Sequence, residues 1–88
     1  MRRIAFSSGS ERKFHRFGER HPELRQRVGE IVIILQKNPL DQSVRVHKLS
    51  GRLEQCYGAD VTFQYRIVYR FDGEFLYLLN IGTHDEVY

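Results

Sequence analysis

Residues 65–81 read YRIVYRFDGEFLYLLNI, and the fold turns on how they pair. Two runs rich in aromatic and branched residues flank Asp72-Gly73. An Asp-Gly pair between such runs is the strongest short-range hairpin signal a sequence carries. A two-residue turn sets Arg66 opposite Leu79 and Ile67 opposite Leu78. Along the first run side chains alternate, so Arg66 and Arg70 face away from Ile67 and Tyr69.

Upstream, Val61, Phe63, Tyr65, Ile67 and Tyr69 alternate, which fits one long strand. A turn near Thr62–Gln64 that splits the run in two fits equally well. Residues 41–53, DQSVRVHKLSGRL, form a connection with some strand character that turns at Ser50-Gly51. Before it, Leu24, Val28, Ile31, Val32 and Leu35 recur at helical period. Pro22 suits the first turn of that helix, and Asn38-Pro39 stops it. A shorter helix spans about Ser10 to Glu19 with Phe14 and Phe17 as its apolar residues. Ser8 and Glu11 have capping-box spacing before it. RRIAFSS, residues 2–8, reads as a first strand. The predicted order is β-α-α-β-β-β, an α+β fold. An N-terminal strand and helical hairpin pack on one face of a small antiparallel sheet whose other face stays partly free.

The 88 residues fit a single domain, 1–88, with one thin core. Apolar residues make up 41% and charged residues 28%, which is the balance of a globular chain. The longest apolar run, IVIIL at residues 31–35, is far short of the ~20 residues of a membrane span. The first residues lack the apolar stretch of a signal peptide, so a cytoplasmic protein is expected. Cys56 is the lone cysteine and reads as a buried structural thiol. A net charge of +3 points weakly to a polyanionic partner. The basic residues fall into groups: one in the first 20 residues, one at Arg45, His47, Lys48 and Arg52, and one at Arg66 and Arg70.

An open sheet face bearing Arg66, with His47 and His84 arriving from flanking segments, suits a phosphodiester. Cleaving RNA needs a base for the ribose 2′-OH, an acid for the leaving 5′-oxygen and a fixed cation for the transition state. Histidine fills the first two roles and arginine the third. Tyr88 can stack on a base or donate a proton. The attack is internal to the RNA, so the chemistry calls for no metal and no cofactor. Plainer readings exist for each residue. Either histidine can be structural, Arg66 can pair with an acid such as Glu54, Tyr88 can cover the core edge, and His15 and His21 fit surface or packing roles. His47, His84 and Asp85 have metal-ligand chemistry without diagnostic spacing.

HKLSG at 47–51, YRIVYRF at 65–71 and IGTHDEVY at 81–88 resemble the RelE/ParE superfamily of bacterial toxins, in particular its RelE and YafQ-like mRNA interferases. The resemblance covers the whole chain, including LQKNP at 35–39. It implies a compact fold similar to microbial ribonucleases and a toxin of a type II toxin–antitoxin pair. That toxin cuts mRNA, usually in the A site of the ribosome's small subunit, leaves a 2′,3′-cyclic phosphate, and is blocked by a cognate antitoxin. It implies His84 as general acid or base, His47 as its complement, Arg66 as phosphate clamp and Tyr88 as the terminal aromatic. Lys48 and Arg52 would hold RNA backbone. Two positions near the RNA depart from the YafQ-like pattern: Asp60 stands for a histidine and Gln64 for an aspartate. A ParE-like gyrase poison, and a decayed toxin kept as an antitoxin-binding module, are the competing readings.

Overall fold

The computed structural model describes all residues, 1–88. Its elements are β1 (Arg3–Phe6), α1 (Ser10–Arg20), α2 (Arg25–Lys37), β2 (His47–Lys48), β3 (Tyr57–Asp60), β4 (Tyr65–Phe71), β5 (Phe75–Thr83) and α3 (His84–Val87). Single 3-10 turns at Pro22–Leu24, Gln42–Val44 and Gly51–Leu53 link them. The five strands form one sheet in the order β1-β5-β4-β3-β2. All pairings are antiparallel except β1 with β5, which is parallel. The sheet is antiparallel as expected, apart from this one parallel pair at its edge. The chain leaves β1, crosses through both helices, and its last strand runs beside β1 in the same direction.

The β4–β5 hairpin forms, but in a different register. Arg66 lies opposite Gly82 and Ile67 opposite Ile81, not Leu79 and Leu78. Two causes add up. Asp72 Oδ1 accepts from the N–H groups of Glu74 (2.8 Å) and Phe75 (2.7 Å), so the aspartate organises a longer loop than two residues. A bulge between Val68 and Tyr69 then leaves Leu79 unpaired. The bulge re-phases β5. Leu76, Leu78 and Ile81 all reach the core face, which strict alternation would forbid.

Upstream, the run from Val61 to Tyr69 is split by a turn at Thr62–Gln64. The Ser8–Glu11 capping box does not form. Gly9, at φ +79°, caps α1 in a left-handed conformation that favours glycine, and the Ser10 hydroxyl donates to the Ser7 carbonyl. Cys56 is half-buried, not buried.

The core is a cluster of 12 buried residues in which Phe17, Ile31, Val32 and Leu35 from the helices meet Ala59, Ile67, Tyr69, Leu76, Leu78 and Ile81 from the sheet. Its one buried hydroxyl, on Tyr69, donates to the Pro39 carbonyl beyond α2. Burial holds that phenol well above the usual tyrosine range. On the opposite face Val68 and Val87 are also buried, yet neither belongs to this cluster. No helix is long and apolar enough to cross a membrane. Tyr69→Phe leaves the buried Pro39 carbonyl without its donor. It should lower stability by about 1–2 kcal/mol, read as a lower denaturant midpoint at unchanged slope.

Candidate active site

The second face of the sheet carries the polar residues. Asp60 lies opposite Arg66 in the β3–β4 ladder, Gly58 opposite Val68, and His47 opposite Gly58. Opposed residues share a face, so His47, Asp60 and Arg66 all stand on the side away from the helices. The β4–β5 register sets Arg66 beside Gly82, one residue before Thr83. There the chain turns into α3, a single helical turn, and brings His84 and Tyr88 back over β4.

Thr83 makes that turn. Its Oγ1 accepts from the Glu86 N–H (3.3 Å), and its own N–H donates to Glu86 Oε1 (2.8 Å), a complete capping box. The backbone N–H of Thr83, and then its hydroxyl, hold the Glu86 carboxyl below the usual range.

The Arg66 guanidinium is held from two sides. Its Nε lies 3.1 Å from Asp60 Oδ1, and its Nη1 lies 2.6 Å from His84 Nδ1. The Nε–Oδ1 contact is an ion pair without hydrogen-bond alignment, so Oδ1 has no formal donor. Asp60 is only 15% exposed, and its Oδ2 lies 3.7 Å from Arg45 Nε. It is a counter-ion to two guanidinium groups, not a group free to meet RNA. Guanidinium only donates, so His84 Nδ1 accepts and the neutral ring carries its proton on Nε2.

Tyr88 packs edge-on against His84, with centroids 4.4 Å apart, and lies 5.6 Å from the Arg66 guanidinium carbon. Its hydroxyl is buried against Gly58 without a partner, and that burial keeps it from donating in this arrangement. Arg52 Nη2 donates to the Tyr88 carbonyl (3.1 Å). Lys48, Leu49, Ser50, Arg52, Leu53 and Tyr88 wall a recess of about 310 Å³.

The structure therefore brings Arg66, His84, Tyr88, Asp60 and Arg52 into one contact network. His47 stands on the same face, its imidazole in no hydrogen bond or ion pair, and Lys48 lines the neighbouring recess. Gln64 stays apart at the β3–β4 turn, where only its backbone N–H is bonded, to Thr62 Oγ1 (3.1 Å). Arg66 pairs with Asp60 and not with Glu54. His15 lies 3.8 Å from Glu19, and His21 packs between Phe17 and Tyr65. His47, His84 and Asp85 do not converge as metal ligands.

Three contributors escaped the sequence reading. Arg45 carried only its charge as a signal. The Thr83–Glu86 box was legible from its spacing. Gly58 offered no signal, because the need for a bare Cα there arises only once Tyr88 lies on top of it.

Among solved structures, YafQ from E. coli strain BL21(DE3) superposes with a TM-score of 0.83 at 17% identity, covering 100% of this chain and 99% of that one. The YoeB/ParE toxin from Agrobacterium tumefaciens gives 0.81 at 14% identity, covering 93% and 98%. The E. coli DinJ–YafQ toxin–antitoxin complex gives 0.80 at 19% identity, covering 99% and 97%. No curated protein sequence matches the chain. The fold is that of the RelE/YafQ-type toxins. A family model described as the bacterial toxin of type II toxin–antitoxin systems, YafQ, matches residues 2–88, so the chain belongs to the YafQ toxin family.

A Cβ at position 58 would collide with the Tyr88 hydroxyl. Gly58→Ala should fold with stability within about 1 kcal/mol of wild type, because the obstacle is the end of a side chain. It should expel Tyr88, seen as faster exchange of the Tyr88 amide that now donates to the His84 carbonyl. The Glu86 carboxyl, depressed in the folded state, supports α3 above its unfolded value near pH ~4.3 and ceases to as pH falls through the lower folded value. Acid titration followed by NMR should show α3 fraying in that window before the core melts. Glu86→Gln, which still accepts from the Thr83 N–H but cannot ionise, should remove the step.

Proposed function

We propose that this toxin is an endoribonuclease that cuts mRNA on the ribosome and is held inactive by a cognate antitoxin. The observation that carries the reading is the 2.6 Å contact between Arg66 and His84, a phosphate-binding fork touching a proton carrier on an open sheet face.

A phosphodiester arriving here offers the guanidinium anionic oxygens in place of a neutral ring nitrogen. Guanidinium and phosphate carry opposite charges and can bond through two parallel N–H groups, whereas the neutral ring nitrogen takes one, so the fork turns to the phosphate. His84 Nδ1 is then free to take up a proton. The resulting imidazolium donates from Nε2 to the departing 5′-oxygen. His47, on the same face, accepts the proton of the 2′-OH. The O2′–P bond forms as the P–O5′ bond breaks, which yields a 2′,3′-cyclic phosphate and a free 5′-OH. The nucleophile belongs to the substrate and the developing charge meets Arg66, so the sequence of events requires no metal ion.

Tyr88 keeps the imidazole edge-on and leaves part of its ring as a stacking surface. Lys48 and Arg52 hold flanking phosphates. The recess beside Tyr88 holds about 310 Å³, the low end for ligand pockets. Such a shallow face favours an mRNA already ordered in the ribosomal A site. The E. coli YafQ relative forms a complex with DinJ, and the Staphylococcus aureus YoeB relative one with YefM, which supports a comparable antitoxin partner here in the cytoplasm.

Induced expression with mapping of mRNA 5′ ends tests the reading. Wild type should stop growth and produce new ends in translated messages. His84→Ala and Arg66→Ala should each cut cleavage by about 10²–10⁴-fold and restore growth. New ends undiminished in His84→Ala, or DNA-damage signalling with intact mRNA, would refute it.

A further inference from the structure

Phe63 is 99% exposed at the tip of the turn between β3 and β4. The turn beneath it is tightly bonded. Thr62 Oγ1 accepts from the N–H groups of Gln64 (3.1 Å) and Tyr65 (3.2 Å), and the Tyr65 carbonyl accepts from both Val61 and Thr62. An ordered turn therefore holds the ring in solvent with both faces free.

Beside the ring lies a recess of about 200 Å³ whose walls include Arg27, Arg45 and Asp60. Arg27 Nε donates to the Val61 carbonyl (3.3 Å) and makes no other hydrogen bond. Arg45 sits at φ +51°, a left-handed conformation that non-glycine residues rarely adopt and that gathers at functional sites. Its side chain is 75% exposed, and its contact with Asp60 is long at 3.7 Å, so it can reach outward. The other Asp60 oxygen lies against Arg66, so the recess and the candidate active site share one carboxylate.

We propose that Phe63 and this recess form a nucleotide subsite on single-stranded RNA. The ring stacks on one base, and Arg45 and Arg27 meet the adjoining phosphate. The subsite's place beside the scissile link rests on the nuclease reading. An isolated aromatic ring with guanidinium groups alongside is the usual platform for an unpaired nucleotide. A protein partner would call for exposed apolar neighbours around the ring, whereas the valines of the recess, Val44 and Val61, are buried and its other walls are Arg27, Arg45, Asp60, Ser43 and Thr62. Stacking of this kind tolerates every base and favours the larger purine rings, so Phe63 would bias cleavage toward purines without dictating a sequence.

The chain contains no tryptophan, so Phe63→Trp introduces a single reporter at a position with no packing to lose. The probes are 2′-O-methyl RNA hexamers, which cannot be cleaved: oligo-A, oligo-U and an abasic strand. Saturable quenching is expected, tighter for oligo-A than for oligo-U and absent with the abasic strand. Adding Arg45→Ala should weaken it about tenfold. Flat fluorescence, or equal quenching by the abasic strand, overturns the proposal. So does a tryptophan quenched by a purified antitoxin and not by RNA. Cleavage by wild type is measured alongside. Cleavage with flat fluorescence removes the subsite and leaves the nuclease reading standing. Quenching without cleavage does the reverse.

Discussion

Arg66 lies opposite Gly82 across the β4–β5 hairpin, and most of the molecule is arranged around that register. On one face it brings Ile67 to Ile81 and, beyond the bulge, Tyr69 to Leu78, which joins the sheet to the helices through the core. On the other it ends β5 beside the Arg66 side chain, so that the α3 turn brings His84 to the guanidinium. Gly82 lets α3 pack close at that point. A side chain there would press on Glu86, whose Cβ would lie 3.2 Å from the added carbon. Glu86 in turn completes the box with Thr83 that aims His84. One extra residue in β5, Leu79, makes both arrangements compatible. Without the bulge Ile81 would face away from the core, or Gly82 would leave the α3 side.

Charge on this face is balanced locally. Asp60 lies between Arg45 and Arg66 and neutralises one of them, so the pair of cations retains about one net positive charge next to His84. The Asp60–Arg66 contact is mostly shielded, and shielding strengthens it relative to a surface pair. The imidazole side is the weaker attachment, because a neutral nitrogen faces a cation. An incoming anion therefore displaces the histidine before it displaces the aspartate. On the proposed reading Arg66 keeps its Asp60 anchor while its fork changes partner, so one residue is both held in position and open to phosphate.

Much of this was legible in the sequence, and what was not has physical reasons. The hairpin was visible in Asp72-Gly73 and in the runs beside it. The second helix was visible in the stripe from Leu24 to Leu35. Register was not, because Asp72 acts through its carboxylate on the loop beyond it, and a bulge depends on which β5 residues the helices will bury. The parallel β1–β5 pairing was invisible because it joins the two ends of the chain, and no local pattern encodes such a contact. The gathering of Arg66, His84 and Tyr88 followed from the C-terminal motif. The role of Asp60 did not. Its spacing shows an aspartate at a strand end, and only the β3–β4 ladder shows that it sits beside Arg66.

Site and stability are separable in this fold. Tyr69, Ile67 and Leu76 are fully buried among helix residues, whereas the far side of the sheet buries little beyond Val68 and Val87. α3 is one turn long, below the length at which a helix holds by its own hydrogen bonds, so it stands on the Thr83–Glu86 box and on Val87. Local opening of α3 thus costs far less than opening the core. Opening carries away His84 and Tyr88 and leaves Arg66 on its strand with Asp60. On the proposed reading, the phosphate clamp is built into the stable part of the molecule and the proton carrier into the labile part. A chain so organised would keep its grip on an anion with its chemistry switched off, because the two roles are held by interactions of different strength.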